Sequence, residues 1–330
     1  MAEFKKARKI IGIVLTLILL ILTIGTVISS ANNERSIRST LVEKFMEMSI
    51  KKQDKNETKK FLDAELKSGE KTFKLGNKIK LDVSITKENF KDMPVYTLNG
   101  DKHNGKVLLY IHGGGYISQI NDNYFVILSE IAKKTDAKII VPVYPLAPFH
   151  TYDQSYRLIT DLYKEINADT STKKVFLAGD SAGGGLAMGL AEDFQNEGLL
   201  QPDELILLSP WVDITMSNPE IKSYESIDPM LSKEQLIVSG EFWAGSTDPK
   251  DYRLSPLYGE VSSLKNVTLF VGTRELFYPD VMKAYEKMKK AGVDVTLHVG
   301  KGQNHVYPFY PFTPEGKNAR QEIVSIIKKG

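Results

Sequence analysis

The chain has 330 residues, ordinary apolar and charged fractions, and a formal net charge of +2. That length fits one large α/β domain with additions and is too short for two full enzymes. So small a charge, with no basic stripe interleaved with aromatics, argues against nucleic acid as a partner. No cysteine is present, which excludes structural disulfides, thiol catalysis and thiolate metal sites without assigning a compartment.

Lys5, Lys6, Arg8 and Lys9 precede an uncharged stretch from Ile10 to Ala31 that is rich in Ile, Leu and Val. A bilayer core needs roughly 20 apolar residues, whereas a secretory h-region takes about 7–15. Length therefore favours an uncleaved membrane anchor over residues 10–31. Ser29-Ser30-Ala31 has the small-x-small spacing of a cleavage site, so a signal peptide removed after Ala31 is the alternative. In both cases the basic cluster stays cytoplasmic and residues 32–330 are expected outside.

Residues 32–70 read as an amphipathic helix around Leu41, Val42, Phe45, Met46 and Met48, a solvated turn over the charged run Lys51–Lys60, and a short helix around Phe61–Leu66. Asp54 and Glu57 interrupt the lysines of that run, which suits a solvated face better than a lipid-headgroup site. Phe73–Val83 and Met93–Leu98 then resemble an antiparallel pair of strands. Beyond them the pattern alternates. Strands are expected at 106–111, 138–143, 174–179, 204–209, 267–272 and 295–299, with helices near 122–134, 153–166, 182–196, 279–291 and 317–328. This βαβ rhythm implies a mainly parallel sheet covered on both faces. Between Trp211 and Tyr258 the rhythm gives way to short polar and aromatic pieces containing Pro219, Pro229, Pro249 and Pro256. An insertion of that size after a strand is a candidate lid.

Two glycine-rich strings follow strands directly: His112-Gly113-Gly114-Gly115 after 106–111, and Gly179-Asp180-Ser181-Ala182-Gly183 after 174–178. A serine between glycines at a strand-to-helix turn is a nucleophile elbow, G-x-S-x-G. The turn is too tight for Cβ atoms on its flanks, and it lifts the Ser181 hydroxyl clear of the sheet. The HGGG string can point successive backbone N–H groups into a cleft, where they hold a developing oxyanion. The spacing at Gly179–Gly185 fits neither a dinucleotide loop nor a P-loop, and no lysine follows.

A serine nucleophile needs a base, and the base an orienting acid, in the chain order serine, acid, histidine. Of the five histidines, His103 and His150 precede the serine, His112 belongs to the glycine string, and His298 sits inside the last strand pattern. His305 lies in the loop beyond that strand, where catalytic side chains project in doubly wound sheets, and it is the expected base. For the acid, Glu275 comes first after the strand at 267–271, and Asp280 follows Pro279. Asp280 has an ordinary role as an N-terminal helix residue. Glu275 has none, so it is preferred and Asp280 is the alternative.

With these residues in place, the chain resembles the hormone-sensitive-lipase-like branch of the α/β-hydrolase esterases over roughly residues 90–330. The resemblance rests on His112–Gly115, Tyr144-Pro145-Leu146-Ala147-Pro148, Gly179–Gly184 and the Glu275/His305 pair. It implies an α/β-hydrolase fold with an eight-stranded, mostly parallel sheet, and a helical cap built from residues 32–72 and the insertion at about 212–258. The catalytic domain would span 73–330. It also implies carboxylesterase activity on a small-molecule or lipid ester of short to medium acyl length, with no metal or organic cofactor, in monomers or dimers. Carried over residue by residue, Gly113, Gly114 and Ala182 would supply the oxyanion amides. His112, Gly115, Gly179, Asp180 and Gly183 would support the loops, with Asp180 tying the elbow to nearby backbone. Three positions depart from the family pattern: Glu275 stands where Asp is usual, Phe149 replaces an acidic residue, and Gly185 replaces an asparagine. Cap aromatics Trp211, Tyr224, Phe242 and Trp243 suit either an apolar substrate group or a small core of the cap itself. A non-catalytic ligand-binding protein on the same fold is the competing reading, and Ser181, His305 and a candidate acid together count against it.

Overall fold

The computed structural model describes residues 23–330, so the greater part of the expected anchor, 10–22, lies outside the described residues. Among the described residues no helix is long and apolar enough to cross a membrane. The strands are β1 (Ile85–Phe90), β2 (Met93–Leu98), β3 (Lys106–Ile111), β4 (Lys138–Pro142), β5 (Lys174–Asp180), β6 (Glu204–Leu208), β7 (Asn266–Gly272) and β8 (Asp294–Gly300). They form one sheet in the order β1-β2-β4-β3-β5-β6-β7-β8. β1 and β2 pair antiparallel, as do β2 and β4, and every other pairing is parallel.

The central strands are apolar on both sides because helices cover both faces. In β3, Val107, Leu109 and Ile111 enter one core, while Leu108 and Tyr110 enter the other. The first core is shared with α4 (Tyr152–Ala168), α5 (Ser181–Phe194) and α7 (Tyr278–Lys290); the second with α3 (Asp122–Thr135) and α8 (Pro314–Lys329). α5 begins Ser-Ala-Gly-Gly-Gly, a poor helix former in isolation. Here every residue from Ser181 to Glu192 is buried, so packing overrides propensity.

Two expectations near the N-terminus need correction. Residues 73–83 are not a strand: they run irregularly, with Phe73, Leu75, Ile79, Leu81 and Val83 packed on the second core. The edge strand is instead β1, whose residues Thr86–Asn89 are all exposed, so no apolar alternation betrays it. The charged run is also not all turn. α1 (Ile37–Ser49) is followed by α2 (Lys55–Ser68), which takes in the run's second half. Asp54 caps α2, with a reciprocal bond from Glu57, and that capping box makes a helix start out of a charge cluster. The insertion carries α6 (Lys233–Ala244), and α2 packs against it.

Candidate active site

β5 passes into α5 with no intervening residue, so the chain must reverse within one residue. Ser181 absorbs the turn at φ 53°, in a left-handed conformation that costs a non-glycine residue on the order of 1–3 kcal/mol. Its carbonyl is held by the Trp211 N–H at 2.8 Å. Gly179 and Gly183 lie against each other across the turn, where a Cβ on either would strike backbone carbonyls. Gly185 is equally confined: a side chain there would collide with the Trp211 carbonyl oxygen. The asparagine of the family pattern therefore has no room at this position.

Ser181, His305 and Glu275 meet although 124 and 30 residues separate the two bonded pairs. His305 Nε2 lies 2.9 Å from Ser181 Oγ, and His305 Nδ1 lies 2.8 Å from Glu275 Oε2. All three are buried. The loops that carry Glu275 and His305 leave adjacent strands in register, Gly272 opposite Gly300. They are sewn together by Thr273 N–H to Gly300 O at 3.1 Å and Arg274 N–H to Gln303 O at 3.0 Å. The Tyr310 hydroxyl donates to His305 O at 2.8 Å. Val306, left-handed at φ 55°, donates its N–H to Ser209 Oγ at 3.0 Å, and Ser209 is itself left-handed at φ 47°. Left-handed non-glycine residues thus gather around the hydroxyl.

Burial alone would discharge the His305 ring, but the hydrogen bond and charge of Glu275 outweigh it, so its pKa lies above the ordinary 6.5. Burial pushes the Glu275 carboxyl up from its usual 4.5, opposed by His305 and by Ser209. Asp280, the alternative acid, faces elsewhere: its Oδ1 accepts from Asn218 Nδ2 at 2.7 Å, and burial raises it to about 6. His298 stays in β8, stacked on Phe270 at 4.5 Å.

The glycine string sits where expected, with one correction. The Gly113 N–H donates to Asp180 Oδ1 at 2.9 Å, so this amide is already occupied and cannot also serve an oxyanion. Gly114 and Gly115 line the cavity in front of Ser181. Their amides, and that of Ala182, donate to no acceptor among the described residues. Asp180 also accepts from the hydroxyls of Tyr110 at 2.8 Å and Tyr124 at 2.7 Å, which makes it the brace between elbow and glycine loop. His112 is fully buried, stacks on Tyr144 and is depressed to about 4 by burial. The Tyr144 hydroxyl holds the His112 carbonyl at 2.7 Å.

The cavity over Ser181 and His305 has a volume of about 590 Å³. Ile117, Leu231, Leu236 and Phe309 supply apolar wall; Asn121 and Gln235 supply polar wall. None of Trp211, Tyr224, Phe242 or Trp243 lines it. Trp243 stacks on Tyr116 at 4.4 Å and Trp211 on Phe277 at 5.8 Å, so of the two roles open to these aromatics the tryptophans take the packing one.

Several residues that matter to the site are silent in the sequence. Glu43 of α1 accepts from Arg35 at 2.6 and 2.7 Å and from Arg274, beside Glu275, at 2.8 and 3.1 Å. Burial opposes the charge of Glu43, but the two guanidinium groups win and hold it below 4.5. Arg35 also donates to Gly302 O at 2.9 Å, and Ser39 to Gln303 Oε1 at 3.1 Å. Asp228 of the insertion accepts from Leu276 N–H at 2.8 Å. No spacing rule connects Arg35, Ser39 and Glu43 to loops more than 200 residues away.

The family model of the alpha/beta hydrolase fold matches residues 108–309, which take in most of β3, the glycine loop, the β5–α5 turn and His305. The chain belongs to the α/β-hydrolase family. Within it, the hydrolase falls in the hormone-sensitive-lipase-like branch of esterases. It is 28% identical over 221 residues to an esterase of Acinetobacter venetianus, covering 66% of this chain and 73% of that one. An acetyl-hydrolase of Streptomyces hygroscopicus is 26% identical over 220 residues, covering 66% and 74%. Among solved structures, an esterase from the bacterial hormone-sensitive lipase family superposes with a TM-score of 0.76 at 25% identity, covering 89% of this hydrolase and 98% of that chain.

Proposed function

We propose that this carboxylic ester hydrolase is exported, tethered to the membrane by residues 10–31, and cleaves esters of short to medium acyl length through Ser181, His305 and Glu275. The observation that carries the reading is the unbroken chain of hydrogen bonds from Ser181 Oγ through both ring nitrogens of His305 to Glu275, at the floor of an open cavity. Residues 32–72 and the insertion form its cap.

His305 takes the hydroxyl proton as Ser181 Oγ attacks the ester carbonyl, and Glu275 holds the ring in the tautomer with Nε2 free to accept. The amides of Gly114, Gly115 and Ala182 receive the oxyanion; each such donor is worth about 2.7–4 kcal/mol of barrier. His305 then gives the proton to the departing alcohol. A water, deprotonated by the same ring, releases the acid from the acyl-serine and restores the hydroxyl.

Export and tethering are supported by the charge pattern of residues 5–31. The ligand-binding alternative would leave the base unnecessary, yet His305 is buried, bonded on both sides and loaded by a carboxylate. Hydrolysis of p-nitrophenyl esters of rising acyl length by the protein and by Ser181→Ala tests the reading. Turnover that peaks at short or medium chains and disappears in the variant is expected. Turnover that survives Ser181→Ala would refute the triad.

A further inference from the structure

The two helical stretches at the N-terminal end of the described residues, 23–32 at the close of the apolar run and α1 after it, are packed inside out. α1 turns its polar side to the protein: Ser39, Thr40 and Glu43 are its buried residues. They are bonded to Gln303 and Glu315, to Arg35, and to Arg35 and Arg274 respectively. The opposite side carries Ile37, Leu41, Phe45 and Met48, spaced i, i+4, i+8 and i+11 on one face, and these are 47, 53, 66 and 81% exposed. Residues 23–32 repeat the inversion, with Thr26 and Ser30 buried and Ile24, Val27 and Ile28 outward. Lys44 ties the two stretches through a bond to Thr26 Oγ1 at 3.0 Å. Phe312, 77% exposed, adds to this face beside Arg38, whose guanidinium reaches the Phe312 carbonyl at 3.4 Å.

A helix next to water buries its apolar stripe and exposes its polar one. The reversal implies that the outer medium here is apolar. We infer that this face lies in the headgroup–acyl boundary of the bilayer and that the substrate is an amphiphilic ester drawn from it. The inference rests on the proposed tether. Only the five residues 32–36 separate Ile10–Ala31 from the stripe at Ile37, so a chain anchored there delivers this face close to the membrane surface. The catalytic cavity opens beside it: Ile50, Lys51 and Gln53, the residues after the stripe, line its wall. An ester whose hydrocarbon body stays in the bilayer can therefore present its carbonyl to Ser181 without entering bulk water.

The absence of cysteine permits a clean test in the full chain reconstituted into phosphatidylcholine–phosphatidylglycerol vesicles. Met48→Cys and Leu200→Cys, the second an exposed apolar position near the opposite end of the sheet, are each labelled with a polarity-sensitive fluorophore. At position 48 we expect blue-shifted emission, quenching by lipid-borne nitroxide and shielding from iodide, with the reverse at 200. In parallel, Phe45→Glu combined with Met48→Glu should lower hydrolysis of dioctanoylglycerol in the vesicles by about fivefold or more. The same variant should leave hydrolysis of soluble p-nitrophenyl acetate unchanged.

Protein that fails to float with the vesicles overturns the tether, and this inference with it. Floating protein in which iodide quenches both positions alike leaves the tether intact and overturns the docked face. Label at 48 shielded from both quenchers, with cross-linking between copies, assigns the face to a second copy of the chain instead. An equal loss on both substrates would reduce the stripe to a folding element and refute the substrate class.

Discussion

Replacing Glu275 by Gln changes one atom, and the structure dictates which way the amide must lie. Oε1 faces the Gly272 N–H at 3.3 Å and Oε2 faces His305 Nδ1 at 2.8 Å. The glutamine oxygen must take the first place, since an NH₂ there would meet another donor. Its NH₂ then points at Nδ1 and donates to it. The imidazole is forced into the tautomer with its proton on Nε2, which can no longer accept from Ser181. Loss of the correct tautomer costs on the order of 10³–10⁴ in kcat, or about 4.1–5.4 kcal/mol at 1.36 kcal/mol per decade. Packing is unchanged, so thermal unfolding should stay within a few degrees of the parent. The assay is steady-state hydrolysis of p-nitrophenyl butyrate, with circular dichroism as the check on fold. A loss below about tenfold in folded protein would refute the reasoning and turn attention to Asp228, whose charge also acts on His305.

Other consequences are open to measurement. Because Glu275 holds the His305 pKa above 6.5 and the base must be neutral, kcat/KM should fall with decreasing pH through a midpoint above 6.5, and Glu275→Gln should move that midpoint down. A pH profile with a midpoint unaffected by the substitution would contradict the coupling. Glu43→Ala strands Arg35, whose side chain is fully buried, and should cost about 3–5 kcal/mol. Glu43 is depressed below 4.5 in the folded protein, so its contribution is present above 4.5 and lost as pH falls through the folded value. Denaturation of parent and variant should therefore converge only in acid, and a constant gap at every pH would contradict this. Asp180→Asn keeps an acceptor for Gly113 and should retain activity within about tenfold, while Asp180→Ala frees the glycine loop and should lose about 10²–10³. Equal losses would make Asp180 a chemical participant instead of a brace.

The central strands and the tight turn at Ser181 were legible because they rest on short-range patterns: an apolar run, then glycines at fixed offsets around Ser181. Glu275 and His305 followed from chain order and from their places just past β7 and β8. What the sequence does not mark depends on distance or on burial. β1 has no apolar alternation, since it is an exposed edge, whereas residues 73–83 have such a pattern without a ladder to join. The availability of an amide is likewise invisible in a motif. Gly113 and Gly114 are equivalent in the motif, but the Asp180 carboxylate occupies the Gly113 N–H. The Arg35–Glu43–Arg274 contact joins α1 to the acid loop across 231 residues, and nothing local to Glu43 marks it.

The most direct test of the account is covalent labelling by a fluorophosphonate followed by peptide mapping, on the parent protein and on His305→Ala. One adduct per chain, on Ser181, with labelling strongly slowed in the variant, is the predicted result. An adduct on another serine, or none in folded protein, would contradict the claim that Ser181 is a nucleophile activated by His305.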